Sequence, residues 1–419
     1  MRFAIFSHVE HIEREGRYYA YAPYVREMNI WLKYVQKVEV VAPRTSKGQL
    51  TGKESYRHKN ITFTRIPSFH FLSLRAAVKA VVKIPYIFFK IYAAMKRADH
   101  LHLRCPGNIG LLACICQIFF PSKSKSAKYA GNWDPEAKQP FSYRLQKWLL
   151  SNTFLTKNMQ VLVYGEWPGQ SKNIVSFFTA SFSENKKAEV PKKAFSEPFI
   201  FLFVGNLVEG KRPLEAIKFV EKLNFKLREG KAQEICASYI PLKLELYGDG
   251  PEREKLEAYV RENDLENITI FRGNRPLKEL KEAYKKSHFV ILPSKSEGWP
   301  KAIAEGMFFG CFPVATPVSC VPWMLGNSSR GMLISGNTLS GSRVESGEWR
   351  EESENQEPGV RSQDGKMEWT ADVKKLMNLL EDPEEMKRRS EAAKNWSQQY
   401  TLERFEVAIQ KLLQKQKID

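Results

Sequence analysis

The sequence predicts an α/β protein with two doubly wound parallel sheets, each in a domain of its own. The chain has 419 residues, which is more than one hydrophobic core usually holds. Short apolar runs of strand length alternate with helical patterns along both halves, and this alternation is typical of parallel sheets covered by helices. The expected architecture is two Rossmann-like domains that face each other across a cleft.

The first domain is predicted to span residues 1–190. A helix is expected over Tyr18–Tyr34, where the pattern between the first two apolar runs becomes helical. The predicted strands are Phe3–Phe6, Val38–Ala42, Ile61–Ile66, His100–Leu103, Lys128–Ala130 and Gln160–Val163.

The second domain is predicted to span residues 199–385, after a Lys-, Glu- and Ser-rich linker at Glu184–Pro198. Its Ser-, Gly- and Glu-rich stretch 335–366 indicates a mobile insertion. A final helical region, about Pro383–Gln416, is expected to supply a segment, residues 386–419, that packs back on the first domain. The predicted strands are Phe199–Val204, Leu242–Tyr247, Asn267–Phe271, Phe289–Leu292 and Phe312–Ala315, and the predicted helices are Pro213–Leu223, Pro251–Asn263, Pro276–Lys286 and Pro300–Phe309.

The formal net charge of +18 lies entirely in the first half of the chain. Residues 1–198 contain 31 Lys and Arg against 13 Asp and Glu, and the remainder is balanced. A one-sided positive field indicates an anionic partner. Because no nucleic-acid-binding motif is present, we expect anionic lipid headgroups or a diphosphate-bearing substrate.

The six cysteines show no C-x-x-C pair and no metal-ligand spacing, so we expect reduced thiols and no bound metal. Met1 leads directly into an apolar strand, without a basic leader. The longest apolar run, Ile109–Pro121, is too short to span a bilayer. These features predict a cytoplasmic protein.

The most informative segment runs from Ser294 to Gly306. It follows the predicted strand Phe289–Leu292 and enters a helix at Pro300, so the backbone of Gly298, Lys301 and Ala302 lies where a helix start offers free N–H groups to a phosphate. Glu297 is expected beside the sugar of a bound ligand. Glu305, more than one turn inside the helix, is expected to accept the two hydroxyls of a ribose.

This segment resembles the E-x7-E motif of glycosyltransferase family 4, whose members have the GT-B fold. Other segments resemble that family in the same order, from Phe199 to Leu333. Gly205 and Asn206, with Lys211 and Arg212, resemble its turn and basic pair at the donor diphosphate. Gly248 and Gly250 resemble the family's G-x-G-P loop. Asn274 lies in a segment that resembles the strand end that lines the nucleotide base, and Gly310–Pro317 resembles the strand that follows the E-x7-E helix.

A departing nucleoside diphosphate carries negative charge that must be neutralised as the glycosidic bond breaks. No D-x-D motif is present, so we expect cations of the chain to serve, without a metal or other cofactor. Lys211 and Arg212 follow a glycine turn at a strand end and are the predicted cations. The family usually has Arg where this chain has Asn206, and Arg212 or Lys301 is expected to replace that charge.

The first half contains fewer recognisable site residues. Gly16 resembles the family's glycine loop over the donor–acceptor junction, without its second glycine. Arg104 falls where the family has a histidine that contacts the transferring sugar, and His102 is expected in or behind the strand. Asn132, Trp133 and Glu166 follow predicted strands, at the edge where a doubly wound domain is expected to bind the acceptor. A Trp ring can stack on a sugar, but it also commonly packs in a core. Tyrosines of the predicted first helix either line the cleft or pack within the domain; they are Tyr18, Tyr19, Tyr21 and Tyr24.

A basic amphipathic helix is predicted from Arg75 to Lys83, followed by a break at Pro85 and an aromatic cluster. Arg75, Lys79 and Lys83 are spaced four apart and share one face. Such a helix either packs its apolar side in the core or binds an anionic membrane surface. The charge asymmetry favours the membrane, so we expect peripheral binding to the inner face of the cell membrane.

Taken with the resemblance, these features predict a retaining, metal-independent glycosyltransferase that uses a UDP- or GDP-linked sugar. The resemblance implies a saccharide or lipid-linked acceptor in capsule, exopolysaccharide or lipopolysaccharide assembly. Two alternatives stay open: another GT-B enzyme, such as a nucleotide-sugar epimerase or a phosphorylase, and a non-catalytic subunit that binds a nucleotide sugar. No segment resembles a pyridoxal-lysine site, which disfavours a phosphorylase of the glycogen type.

Overall fold

The computed structural model describes most of the chain, and every structural statement below concerns that part: residues 1–45, 48–69, 74–229, 241–335, 337–338 and 367–415. Side chains at 74–81 are not among those described. Contacts divide the chain into two units. The first comprises Met1–Glu189, Ser296–Lys301 and Gln398–Asp419, and the second comprises Val190–Lys295 and Ala302–Ser397.

The elements up to residue 189 alternate between strands and helices, with one excursion of short strands. They are β1 (Arg2–Phe6), β2 (His11–Arg14), β3 (Arg17–Tyr21), α1 (Ala22–Trp31), β4 (Lys37–Ala42), β5 (Arg44–Thr45), β6 (Lys53–Ser55), β7 (Ile61–Arg65), α2 (Leu74–Arg97), β8 (His100–Cys105), α3 (Asn108–Cys116), β9 (Ser124–Tyr129), α4 (Phe141–Ser151), β10 (Met159–Tyr164) and β11 (Ile174–Phe177).

Seven of these strands form a parallel sheet in the order β11-β10-β9-β8-β1-β4-β7. The chain builds outward from β1 through β4 to β7, crosses back to β8, and then builds outward in the other direction. The strand order therefore reverses between β1 and β8. In doubly wound sheets this reversal point, at the carboxyl ends of the strands, is where ligands bind.

The two faces of β8 differ in chemistry. Leu101, Leu103 and Cys105 point into the apolar core, which they share with residues of α2, α3 and α4. His100, His102 and Arg104 alternate with them and are also buried, on the opposite face. One face of β8 thus carries a buried polar row formed by His100, His102 and Arg104, and Arg104 belongs to the candidate site described below.

The predicted helix over Tyr18–Tyr34 is wrong in its first turn. Residues 17–21 form β3, which pairs with β2 and β6 in a small sheet of order β5-β2-β3-β6, and α1 begins only at Ala22. Three of the five residues at Arg17–Tyr21 are tyrosines, and aromatic residues are enriched in strands. Glu15 and Gly16, both at positive φ, form the two-residue turn of the β2–β3 hairpin.

The predicted break at Pro85 is also wrong, because α2 continues through it to Arg97. Proline removes one hydrogen bond from a helix interior. Here Pro85 is exposed, while Ile87, Ile91 and Met95 beyond it continue a fully buried stripe. Burial of that stripe favours one continuous helix over a break. None of the described helices is long and apolar enough to cross a membrane.

The second unit begins its sheet at Phe199, and four of its strands, at 199–204, 242–247, 289–292 and 312–315, match the predicted bounds. Its elements are β12 (Phe199–Val204), α5 (Pro213–Glu229), β13 (Leu242–Tyr247), α6 (Arg253–Glu262), β14 (Thr269–Gly273), α7 (Leu277–Lys286), β15 (Phe289–Leu292), α8 (Lys301–Phe308), β16 (Phe312–Ala315), α9 (Val321–Met324), β17 (Met332–Leu333), β18 (Asn337–Thr338), β19 (Met367–Glu368), α10 (Thr370–Leu380) and α11 (Pro383–Ser397).

The second sheet is parallel in the order β14-β13-β12-β15-β16-β17. Its strand order reverses between β12 and β15, so the loops that follow these two strands flank the expected ligand position. Short β18 and β19 pair with each other outside this sheet. The predicted insertion, apart from residues 335 and 337–338, lies outside the described residues.

The predicted final helical region, about Pro383–Gln416, contains two helices: α11 ends at Ser397, and α12 spans Leu402–Lys415. Helix α12 belongs to the first unit. Its Glu406 carboxylate accepts hydrogen bonds from Lys33 at 2.8 Å and from Tyr34 at 2.6 Å. Phe405 packs against Phe177, with ring centroids 5.4 Å apart.

Candidate functional site

In the second unit, the loop after β12 is hydrogen-bonded to the loop after β15. The backbone N–H of Lys295 donates to the carbonyl of Gly210 at 2.9 Å, and the Lys295 ammonium lies 2.5 Å from the Glu209 carboxylate. These contacts join the two loops at the point where the strand order reverses. The two loops therefore meet at the carboxyl edge of this sheet, where doubly wound sheets bind ligands.

Two glycines let the loop after β13 approach the loop after β12. A Cβ atom on Gly248, whose φ is +141°, would lie 1.9 Å from the carbonyl oxygen of Gly205. A Cβ on Gly250 would lie 2.4 Å from the carbonyl oxygen of Leu207. Both positions thus require glycine for backbone approach, which agrees with the predicted glycine loop.

The predicted basic pair lies in a tight turn before α5. Lys211 ends a short 3-10 helix, Arg212 has a left-handed conformation with φ +51°, and Pro213 opens α5. Both basic side chains are partly exposed. Asn206 and Asn274, which follow β12 and β14, are exposed at the same edge of the sheet.

The loop that carries Glu297 is grouped with the first unit. Glu297 is buried, and a Cβ on Gly298 would lie 2.8 Å from the carbonyl oxygen of Ala130. Trp299 packs between Tyr164 and Tyr400, at centroid distances of 5.7 and 5.6 Å. Gly298 therefore allows the loop to contact the backbone that follows β9.

Lys301 and Ala302 form the first turn of α8, and Glu305 lies one turn further on. The Glu305 carboxylate is buried and accepts a hydrogen bond from the Tyr284 hydroxyl at 3.1 Å. Burial, together with the neighbouring Glu305 carboxylate, raises the pKa of Tyr284 well above its usual range, so the phenol stays protonated and donates. Tyr284 fixes one side of Glu305.

In the first unit, the reversal point between β1 and β8 carries a buried ion pair. Arg104, near the end of β8, contacts Glu27 of α1 at 2.6 Å, and the exposed fractions of the two side chains are 11% and 6%. Burial alone would raise the pKa of Glu27, but the charges of Arg104, Lys128 and Lys301 outweigh it and hold that pKa at about 2. Glu27 is therefore ionised at neutral pH.

Lys128 lies beside Arg104, because the two residues are partners in the register of β8 and β9. Its side chain is fully buried, its ammonium donates to the carbonyl of Phe178 at 2.9 Å, and it lies 4.4 Å from the Phe177 ring centroid. Burial lowers the pKa of Lys128 to about 7, although Glu27 opposes that shift. A lysine with this pKa changes charge near neutral pH.

The two strand histidines have structural contacts. His100 and His102 are fully buried, and both bond the Ser126 hydroxyl at 2.8 Å. Burial lowers the pKa of His100 to about 3 and that of His102 well below its usual value, so both rings are neutral. His102 lies within the strand, as the sequence predicted.

The residues predicted to bind the acceptor are dispersed. Gly16 forms the exposed tip of the β2–β3 hairpin. The Trp133 ring is buried in the core, and its indole N–H donates to Gln170 at 3.0 Å, which favours packing over a sugar platform. Asn132 caps a turn by accepting from the Asp134 N–H, and Glu166 is exposed after β10. Their predicted acceptor role stays a prediction.

Sequence reasoning missed Glu27, Lys128 and Tyr284. A lysine inside a buried parallel strand is a signal that was available, since such strands are normally apolar. Glu27 and Tyr284 have no sequence signal of this kind, because their roles depend on partners 77 and 21 residues away.

Residues 184–342 match the family model described as glycosyl transferases group 1. This range covers the whole described edge of the second sheet, from β12 to the loop after β16. The second unit therefore carries a glycosyltransferase domain, and the predicted transferase class is confirmed for this domain. Membership of family 4 in particular stays a prediction.

Two curated relatives match parts of the chain. An uncharacterized glycosyltransferase of Methanocaldococcus jannaschii is 30% identical over 98 residues, which are 23% of this chain and 28% of the relative. The lipopolysaccharide 1,6-galactosyltransferase of Salmonella typhimurium is 29% identical over 128 residues, which are 30% of this chain and 32% of the relative. The matches thus span about three tenths of each relative's length.

Solved structures share the fold along nearly the whole chain. HepE of Anabaena, solved with UDP and glucose, has a TM-score of 0.60 at 13% identity, covering 98% of this chain and 99% of its own. Sucrose-phosphate synthase of Thermosynechococcus elongatus has a TM-score of 0.58 at 14% identity, covering 99% and 98%. The predicted GT-B fold, with two Rossmann-like α/β units, is confirmed.

Proposed function

We propose that this protein is a glycosyltransferase that moves a sugar, with retention, from a UDP- or GDP-linked donor to a saccharide or lipid-linked acceptor in cell-surface polysaccharide biosynthesis. The observation that carries the proposal is the meeting of the loops after β12, β13 and β15 at the reversal point of the second sheet. Those loops bring together a glycine-rich backbone, Lys211 and Arg212 at the edge where such sheets bind nucleotides.

Each predicted donor residue has a role that fits its place in the proposed enzyme. Lys211 and Arg212 neutralise the departing diphosphate without a metal ion. The first turn of α8, Lys301 and Ala302, offers backbone N–H groups to phosphate. Glu305, held by Tyr284, accepts the ribose hydroxyls, and Glu297 orients the transferring sugar.

The relatives support this donor class. The solved structure of HepE contains UDP and glucose, and the Salmonella relative is a lipopolysaccharide galactosyltransferase. A UDP-hexose is therefore the first donor to test. The named activity of the Salmonella relative favours a lipopolysaccharide-type acceptor.

The first experiment is thermal stabilisation of the purified protein by a panel of UDP- and GDP-sugars, since a ligand that binds the folded state raises its stability by mass action. The best donor is then used in transfer assays with saccharide and lipid-linked acceptors, with and without EDTA. We expect sugar transfer with retained anomeric configuration that survives EDTA.

Two variants test the assigned carboxylates. Glu305→Gln should weaken nucleoside diphosphate binding, and Glu297→Gln should lower turnover far more than it lowers that binding. Glu221→Gln, which removes a carboxylate paired with Tyr259 elsewhere in the same unit, serves as the control. Donor turnover without an acceptor would favour the epimerase alternative, and binding without any turnover would favour the non-catalytic subunit.

We also propose that the first unit docks on an anionic membrane surface. Arg75 and Lys79 have side chains outside the described part, whereas Lys83 is exposed. Beyond it, α2 and the 3-10 helix that follows α3 (Gln117–Phe119) carry four exposed aromatic side chains, namely Tyr86, Phe89, Tyr92 and Phe119. Aromatic side chains beside lysines suit the headgroup region of a bilayer that carries negative charge.

Liposome co-sedimentation tests the docking proposal. Wild-type protein should pellet with anionic vesicles, and less so at high salt, because the Debye length shortens to about 3 Å at 1 M. Changing Tyr86 and Phe89 to Ser, or Arg75, Lys79 and Lys83 to Glu, should abolish pelleting. Phe225→Ser removes an aromatic ring of similar exposure from the second unit and should have no effect. Equal pelleting with neutral vesicles would contradict the proposal.

A further inference from the structure

The face of β8 and β9 opposite the apolar core carries two cations side by side, Arg104 and Lys128, which are register partners. Helix α1 contributes one carboxylate to this face. The Arg104 Nη1 atom lies 2.6 Å from Glu27 Oε1, and the Arg104 Cζ atom lies 5.3 Å from the ring centroid of Tyr24. Because Tyr24 and Glu27 are three residues apart, one face of α1 holds the guanidinium from two sides.

Glu27 also faces the start of α8. Lys301 is close enough to lower the pKa of Glu27, together with Arg104 and Lys128. The buried Glu27 carboxylate thus pairs with Arg104 of β8 and also feels the charges of Lys128 of β9 and Lys301 at the start of α8. Buried ion pairs contribute little more to stability than apolar packing of the same volume, so stability alone gives no reason for this arrangement.

We propose that Glu27 is a positioning residue for sugar transfer, which holds the Arg104 guanidinium at the carboxyl edge of the first sheet. Its kinetic consequence rests on the proposed function, whereas the placement of Arg104 rests on the geometry alone. Without the Glu27 charge, the Arg104 guanidinium loses its ionic partner on α1 and is free to change its position. A misplacement of about 1 Å can cost roughly a hundredfold in rate.

The test compares Glu27→Gln with Glu39→Gln. Glu39 is also a buried carboxylate and pairs with Arg97, whose side chain is 43% exposed, but it lies in the amino-terminal half of β4. Both variants remove the charge of a buried, ion-paired carboxylate, so both should lose stability. Only Glu27→Gln should lower kcat tenfold or more with an unchanged donor KM, and Glu27→Asp, which keeps the charge, should recover part of the rate.

A second readout does not depend on activity. Phenylglyoxal modifies accessible guanidinium groups, and mass spectrometry of peptides reports the rate at Arg104. We expect slow modification in the wild type and in Glu39→Gln, and several-fold faster modification in Glu27→Gln.

Equal modification rates in all three proteins would overturn the placement. Faster modification with a kcat loss no larger than that of Glu39→Gln would overturn the kinetic role and leave Glu27 as a structural residue. Absence of sugar transfer by the wild-type protein would contradict the proposed function instead, and the modification rates would still decide whether Glu27 holds Arg104.

Discussion

Lys128 should make the stability of the first unit depend on pH between about 7 and 10.5. Its side chain is fully buried, and burial lowers its pKa from 10.5 to about 7. In that interval the unfolded chain binds a proton that the folded chain does not. Stability therefore rises with pH through this window, and below pH 7 the effect is constant because both states are protonated.

The size of the effect follows from the pKa difference. A shift of about 3.5 units corresponds to about 4 kcal/mol lost at pH 7, relative to a neutral side chain, and about 3 kcal/mol of this is recovered by pH 9.5. Lys128→Met removes the ionisable group. It also leaves the carbonyl of Phe178 without its donor, which costs about 1–3 kcal/mol at any pH.

The two terms predict a crossover. At pH 7, Lys128→Met should be more stable than the wild type by about 1–3 kcal/mol, and at pH 9.5 its unfolding free energy should lie between that of the wild type and about 2 kcal/mol below it. Denaturant titrations followed by tryptophan fluorescence at several pH values measure the difference in unfolding free energy. Lys157→Met, which removes an exposed lysine of the same unit, should give a difference that does not change with pH.

A difference between Lys128→Met and wild type that stays constant from pH 7 to pH 9.5 would refute the reasoning. It would mean that the ammonium remains charged in the folded state despite its burial. The contact with the Phe177 ring and the neighbouring Glu27 charge would then offset most of the burial penalty.

The remaining predictions concern the second unit. Gly248→Ala should destabilise the protein by several kcal/mol and abolish nucleotide-sugar binding, because the added Cβ would lie 1.9 Å from the Gly205 carbonyl oxygen. Gly210→Ala should be tolerated, because its added Cβ would have no atom within 4 Å. Thermal melts with and without the donor measure both variants. Tyr284→Phe should cost about 1–2 kcal/mol of stability and weaken nucleotide binding in calorimetry, whereas Tyr259→Phe should cost stability only. Unchanged binding in Tyr284→Phe would mean that Glu305 needs no support from this hydroxyl.

Sequence patterns were most informative where local chemistry determines the structure. The strands at 199–204 and 289–292 are apolar runs of strand length, and the loops that follow β13 and β15 contain glycines at points of close backbone approach. Both features are contiguous in the chain, so pattern reasoning finds them. The predicted break at Pro85 failed for the opposite reason: the helix continues because Ile87 and Ile91 are buried by residues elsewhere in the fold.

The candidate site of the first unit could not be predicted to the same depth, because it is assembled by strand register. Arg104 is a candidate through the family resemblance, since it falls where the family has a histidine. Its carboxylate partner Glu27 lies 77 residues earlier on α1, and no local pattern in the sequence links the two residues. Lys128 lies opposite Arg104 because the register pairs β8 with a strand that spans Ser124–Tyr129, whereas the sequence predicts a shorter strand at Lys128–Ala130. Alternation explains how such a stretch forms a buried strand: Ala127 and Tyr129 face the core, while Ser126 and Lys128 face the polar row of β8. A buried strand with one polar face therefore needs partners that satisfy it, and Glu27 and the Phe178 carbonyl are those partners.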